Sequence, residues 1–273
     1  MVKKLYKHEF AAWLRVIVFF WAAVLITASF NRIVQIFETD NVIYKILFVS
    51  SCILYGISIA VTLAASTVFG IVRFYKNFFT GEGYLTFTLP ATKKQLLFVK
   101  ISTAVCMGAA SFLVCLLSGC IIMAGEVFTE VWKAAAYIMK DVPVKDALHL
   151  ALFILEFLLL MLVADATNHF FYYTCISIGQ TFRKNRILAA VGVYFVFYIL
   201  AQVVSTVATI TFTILGELGV LDTMIENLGK LVEAHPLACL HSGMWIGIAL
   251  TFVGVLIDWA ICHWVINKKL NLE

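Results

Sequence analysis

Residues 187–215 read ILAAVGVYFVFYILAQVVSTVATITFTIL, a run with no Asp, Glu, Lys, Arg or His. A helix needs about 20 mostly apolar residues to cross a bilayer. Inside hydrocarbon the backbone must satisfy its own hydrogen bonds, so such a run reads as a membrane helix. The basic turn Arg183-Lys184-Asn185-Arg186 precedes it and Glu217 follows it. That alternation, a charged turn and then a long uncharged run, decides the fold class.

Working outward, the same pattern recurs. The spans are placed at about 14–37, 44–72, 95–124, 148–181, 187–215 and 240–266. The composition agrees: the 273-residue chain is 63% hydrophobic and 13% charged, with a mean hydropathy of +0.98. Soluble domains are closer to half apolar and a quarter charged. The fold expected is all-α, a polytopic membrane protein of six transmembrane helices forming one domain over 1–273.

The segment 1–13 precedes the first span. Val2, Leu5, Tyr6, Phe10, Trp13 and Leu14 fall on one helical face, and Lys3, Lys4, Lys7, His8, Ala11 and Arg15 on the other. This split predicts an amphipathic interfacial helix; the cytoplasmic end of the first span is the plainer alternative. The apolar run behind it is too long for a cleaved signal peptide, so an uncleaved first span is expected.

Charge sets the orientation. With the N-terminus inside, fourteen of the 20 Lys and Arg residues fall on the cytoplasmic side, among them Lys3, Lys4, Lys7, Arg73, Lys76, Lys93, Lys94, Arg183 and Lys184. Both termini are therefore expected in the cytoplasm of a plasma-membrane protein. The net charge of +4 is a topology signal and implies no nucleic-acid partner.

Several kinds of chemistry find no motif. The chain has no G-x-x-x-x-G-K-[ST], no H-E-x-x-H and no G-x-S-x-G, so it is not read as an enzyme and no cofactor is expected on it. Its seven cysteines include no C-x-x-C pair, and no two histidines lie three or four apart on one helix. No metal site and no disulfide framework are expected. Outside, 126–140 and 217–235 show loosely helical apolar spacing, which Pro143 and Pro236 end before the next spans.

Two features are left unexplained by hydrophobic burial. The first is the cytoplasmic loop 73–94, RFYKNFFTGEGYLTFTLPATKK. Gly81 and Gly83 flank Glu82 where the chain is free to turn. Pro90 favours an extended residue before it. Thr92, three residues ahead of Gln95, has capping-box spacing, so the third span should start at Thr92–Lys93. The basic, punctuated loop suits a docking element for a partner, or is an ordinary solvated loop with positive-inside charge.

The second is a set of intramembrane acids, Glu156, Asp165 and Asp258, which are costly in lipid and functional candidates by default. Asp165, Asn168 and His169 are spaced i, i+3, i+4 on one face, with Tyr172 nearly aligned. This polar stripe either lines a hydrated path or pairs with a neighbouring helix. A proton- or ion-coupled secondary carrier would use Asp165 and His169. A non-transporting scaffold or sensor subunit is a further alternative.

The run 73–90, followed by Lys93-Lys94-Gln95-Leu96-Leu97 and Lys100, resembles the loop between the second and third spans of type-two ABC transporter permeases. It is especially similar to the small six-span subunits of Firmicutes. Gly179-Gln180 with Arg183-Lys184-Asn185-Arg186 and Ile187-Leu188 is similar to that family's turn between spans four and five. Lys3–Trp13 resembles its N-terminal connector helix. The resemblance covers the cytoplasmic side of the chain. It implies a permease, read as an exporter of a peptide, lipid-like or drug-like substrate, paired with a second permease copy or paralogue. Two separate cytoplasmic ATPase subunits would carry ATP and magnesium. It implies a coupling element in Arg73, Phe74, Tyr75, Lys76, Asn77, Phe78, Phe79, Gly81, Glu82 and Gly83, centred on Phe74–Glu82. Tyr84, Leu89, Pro90, Thr92 and Gln95 would brace it. The large extracellular domain of some relatives has no counterpart.

Overall fold

The computed structural model describes residues 2–88, 90–125, 129–130, 133 and 144–268, with side chains except those of 144–147 and 268. Leu89, Pro143 and nearly all of the 126–140 segment lie outside the described residues. Among the described residues 91% are helical and none lies in a strand. Among the described residues six helices are long and apolar enough to cross a membrane: Val2–Ile36, Val42–Phe79, Lys93–Met123, Leu148–Gly179, Arg186–Glu217 and Pro236–Asn267. The protein is thus a multi-pass membrane protein. The chain divides into two compact units, Met1–Ala147 and Leu148–Asn271.

The first unit holds α1 (Val2–Ile36), α2 (Val42–Phe79), α3 (Gly81–Phe87) and α4 (Lys93–Met123). Helix α1 packs on both α2 and α4, and α2 on α4. Trp13, Ile17, Ala104 and Met107 form a buried cluster against Phe10, Trp21 and Phe69. Interhelical hydrogen bonds fix the directions. Tyr6–Ser102 (2.6 Å) and Trp21–Ser111 (3.0 Å) show α1 and α4 running parallel. Thr27–Ser58 (2.8 Å) and Asn31–Ser51 (3.0 Å) show α2 running against α1. In lipid, where apolar contact drives little association, such small hydroxyl bridges let helices approach closely.

The structure draws α1 as one helix, with no break where an interfacial helix would turn into the span. Residues 2–36 contain no Gly or Pro to interrupt it. Lys3, Lys4, Lys7, His8, Ala11, Leu14 and Arg15 are exposed, Val2, Leu5, Tyr6 and Phe10 are half-buried, and Glu9 and Trp13 are buried. The apolar face packs alongside α2 and α4.

The second unit holds α5 (Val144–Gly179) from Leu148 onward, α6 (Arg186–Glu217), α7 (Asp222–Ala234) and α8 (Pro236–Lys268). Helix α8 begins at Pro236, where a proline at the first helical position costs no hydrogen bond. Helices α5 and α8 run parallel in a constant register. Glu156 meets His241 (2.8 Å), the Thr167 hydroxyl reaches the Thr251 carbonyl (3.4 Å), Thr174 donates to the Asp258 carbonyl (3.0 Å), and Ser177 meets Cys262 (3.4 Å). Each rung joins residues 84 or 85 apart. Helix α6 returns against α5 through aromatic contacts, Phe171 with Tyr194 and Phe197, and Tyr172 stacked on Tyr194. The turn between them depends on two residues. Asn185 has φ +52, a left-handed conformation that Asn tolerates better than most side chains. At Gly179 an added Cβ would lie 2.6 Å from the Ala190 backbone, so only glycine lets the helices come this close.

Candidate functional sites

The 73–94 region is more helical than the sequence suggests. Arg73–Phe79 is not loop but the last two turns of α2, because Val72 to Phe79 offers no Gly or Pro to stop the helix. The break falls at Thr80, extended at φ −114 and ψ −174, and α3 follows at once. The Gly83 amide bonds back to the Thr80 carbonyl at 2.7 Å. An added Cβ at Gly83 would meet the Phe78 carbonyl oxygen at 2.7 Å. The short helix therefore folds tightly against the end of α2, and the pair forms a hook. Helix α4 then starts at Lys93 with Thr92 as N-cap. The Thr92 hydroxyl accepts from the Gln95 amide (3.3 Å), and the Gln95 side chain accepts from the Thr92 amide (3.1 Å).

The hook divides the expected coupling residues. Phe74 and Phe78 are fully buried, tilted against each other with ring centroids 4.9 Å apart, and Phe79 and Phe87 meet them edge-on. Gly83 is buried as well. Arg73 and Asn77 turn into the unit. Tyr75 and Phe79 are half-buried. Of the expected residues, Lys76, Gly81, Glu82, Tyr84, Pro90, Thr92 and Gln95 are exposed, and so is neighbouring Leu85. Tyr84 and Leu85, each 68% exposed, make an apolar tip on α3.

Behind the hook lies a charge cluster that the sequence reading missed. Arg73 Nε donates to Glu9 Oε2 at 2.6 Å, and Lys100 Nζ pairs with Glu9 Oε1. The Glu9 and Lys100 side chains are 7% and 6% exposed. In the orientation that satisfies both its ends, the Asn77 amide accepts from Lys100 Nζ (3.0 Å) and donates to the Arg73 carbonyl (2.8 Å). One carboxylate thus ties α1 to α2 and α4. Its signal was present: Glu9 is the only acid within residues 2–15, four residues before buried Trp13.

In the second unit, the α5 stripe is only partly assembled. His169 Nδ1 lies 3.0 Å from the Asp165 carbonyl and 3.5 Å from its Oδ1. Asp165 Oδ2 and His169 Nε2 are buried without a hydrogen-bond partner among the described residues. Asn168 is exposed, and Tyr172 turns to Tyr194. The Asp258 carbonyl accepts from Thr174 of α5.

Glu156, which has no partner in its own helix, gains two from α8. Trp245 Nε1 donates to Oε1 at 2.9 Å, and His241 Nδ1 donates to Oε2 at 2.8 Å. His149 Nδ1 then lies 3.2 Å from His241 Nε2. The spacing held half of this: His149 and Glu156 are seven apart on α5, His241 and Trp245 four apart on α8. Which helices would pair was not visible. Among the described residues no group of three or more His, Cys, Asp or Glu is placed to hold a metal.

No family model matches the chain, and neither a curated protein nor a solved structure is similar to it.

Proposed function

We propose that the chain is the membrane-spanning permease subunit of an ATP-driven ABC transporter, exporting a peptide, lipid-like or drug-like substrate across the plasma membrane. The observation that carries this reading is the α2–α3 hook. It is a short helix braced by a buried aromatic cluster, with an apolar tip at Tyr84–Leu85 and charged groups at Lys76, Glu82 and Lys94 around it. A helix held so firmly yet exposing its apolar residues suits docking into a groove on a partner. The partner is a cytoplasmic ATPase that carries ATP and magnesium, since this chain has no phosphate-binding loop. Both termini then face the cytoplasm, with the basic face of Lys3, Lys4 and Lys7 at the inner membrane surface. A second permease, identical or paralogous, completes the path. The Glu9 cluster joins the root of the hook to α1 and α4, so force on α3 would reach two further helices. Crosslinking in native membranes followed by purification should bring down an ATPase whose turnover responds to substrate. Recovery of the chain without any ATPase would sink the proposal.

A proton-coupled carrier is the second reading, favoured by the open valences of Asp165 and His169. Under it, Asp165→Asn abolishes transport while thermal stability holds. Loss of stability alone would assign the pair to structure.

A further inference from the structure

His149, His241 and Glu156 form a chain of hydrogen bonds with only one consistent arrangement of protons when both rings are neutral. Glu156 as a carboxylate only accepts, so His241 Nδ1 carries its hydrogen across the 2.8 Å contact. In neutral His241 the other nitrogen, Nε2, is then an acceptor. His149 Nδ1, 3.2 Å away, must donate to it. That leaves His149 Nε2 as a lone pair at the end of the chain, with no hydrogen-bond partner among the described residues. His149 is half-buried, near the start of the apolar segment Leu148–Gly179; Glu156 is 8% exposed. Seven residues of helix put Glu156 about 10 Å further in. Trp245 holds the other carboxylate oxygen.

From this geometry we infer that His149, His241 and Glu156 are a proton relay, taking a proton from water at the end of α5 and delivering it to a buried carboxylate. The transfer balances. A proton from hydronium adds to His149 Nε2, and His149 Nδ1 gives its proton to His241 Nε2. His241 Nδ1 gives its proton to Glu156 Oε2. Afterwards Glu156 is a neutral acid donating to His241 Nδ1, and His241 Nε2 donates to His149 Nδ1. Every hydrogen bond of the chain is kept and reversed, so the reverse sequence empties the site by the same route. What changes is charge: the carboxylate loses its minus sign, and its bond from Trp245 loses charge assistance, which roughly doubles a hydrogen bond's strength.

Among the described residues, the titratable groups facing Glu156 are His241 from α8 and, one ring beyond, His149 from α5. Helix α7, packed on α8, carries Asp222, Glu226, Lys230 and Glu233. Glu226 and Lys230 pair with each other at 2.6 Å, and no hydrogen bond or ion pair joins α7 to the relay among the described residues. The relay stands whether or not the chain works with an ATPase.

The test is a pH jump on the full chain in lipid nanodiscs, followed by time-resolved infrared absorption of the protonated-carboxyl carbonyl stretch. Acidification should raise a band in the wild type that Glu156→Gln removes. His149→Gln keeps a donor to His241 but cannot relay, and should slow the band by about a hundredfold, the scale of a positioned proton-transfer group. In His149→Ala, imidazole in the buffer should restore the rate. A band that rises at the wild-type rate in His149→Gln, or a wild type that shows no Glu156 band before unfolding, overturns the relay. So does a slowed His149→Ala that imidazole leaves unchanged, since a structural role alone would not respond to it.

Discussion

Glu9 shows how one side chain can matter more than its neighbourhood suggests. It is an acid in a basic segment, and the plain reading of the segment is a charged surface. Yet it is buried against two cations from other helices. Removing one partner of a buried ion pair costs about 3–5 kcal/mol, because the other charge is left uncompensated. Glu9→Gln strands both Arg73 and Lys100, whereas Lys100→Met leaves Glu9 with Arg73. Glu9→Gln should therefore be the more destabilising, by unfolding in mild detergent measured for both variants side by side. Equal losses would mean that the cluster is not shared as described. At this scale the sequence announced residue types and depths. Glu156 was legible as a costly intramembrane acid, but its partners lie 85 and 89 positions away. Distance along the chain hides a hydrogen bond whose members belong to separate helices.

At the scale of elements, local signals were read more fully. The capping box at Thr92 and Gln95 names the start of α4 because all its atoms lie within one turn. The end of α2 was misplaced because charge and polarity, taken as signs of a loop, do not stop a helix. Only Thr80 and the glycines beyond it do. The hook yields two separable predictions. Tyr84→Ser with Leu85→Ser removes exposed apolar surface, so melting should be unchanged while recovery of the ATPase falls. Gly83→Ala forces a Cβ onto the Phe78 carbonyl and should cost about 1–3 kcal/mol, as overpacking does. It should lower ATPase recovery too, through displacement of α3. On the far turn, Gly179→Val should destabilise by a similar amount, since it drives side-chain atoms into the Ala190 backbone. A thermal shift assay on both glycine variants checks this; an unchanged melting point at position 179 would mean that α5 and α6 are not in close contact there.

For the whole molecule, hydropathy made the six spans legible because the bilayer imposes one length on every crossing. The outward faces confirm that demand: α6 has no buried residue along its entire length. The orientation proposed from the Lys and Arg distribution makes a prediction. A single cysteine placed at Lys76 should be reached by a membrane-impermeant thiol reagent only from the cytoplasmic side, and one at Lys230 only from outside, in a background lacking the seven native cysteines. Labelling of both from one side would refute the topology.

The constant offset between α5 and α8 also fixes an order of events during synthesis. Ribosomes add roughly 5–20 residues per second, so α8 emerges about 4–17 s after the part of α5 it will bond. Throughout that interval Glu156 has entered or approached lipid with neither His241 nor Trp245 yet made. A carboxylate in an inserting helix raises the cost of insertion, by up to about 2.5–3.5 kcal/mol at the helix centre. The nascent chain must therefore wait with an unsated acid, held by the insertion machinery or by a proton. A chain stopped after residue 235 would never leave that state, and quality-control proteases should clear it faster than one stopped after 268.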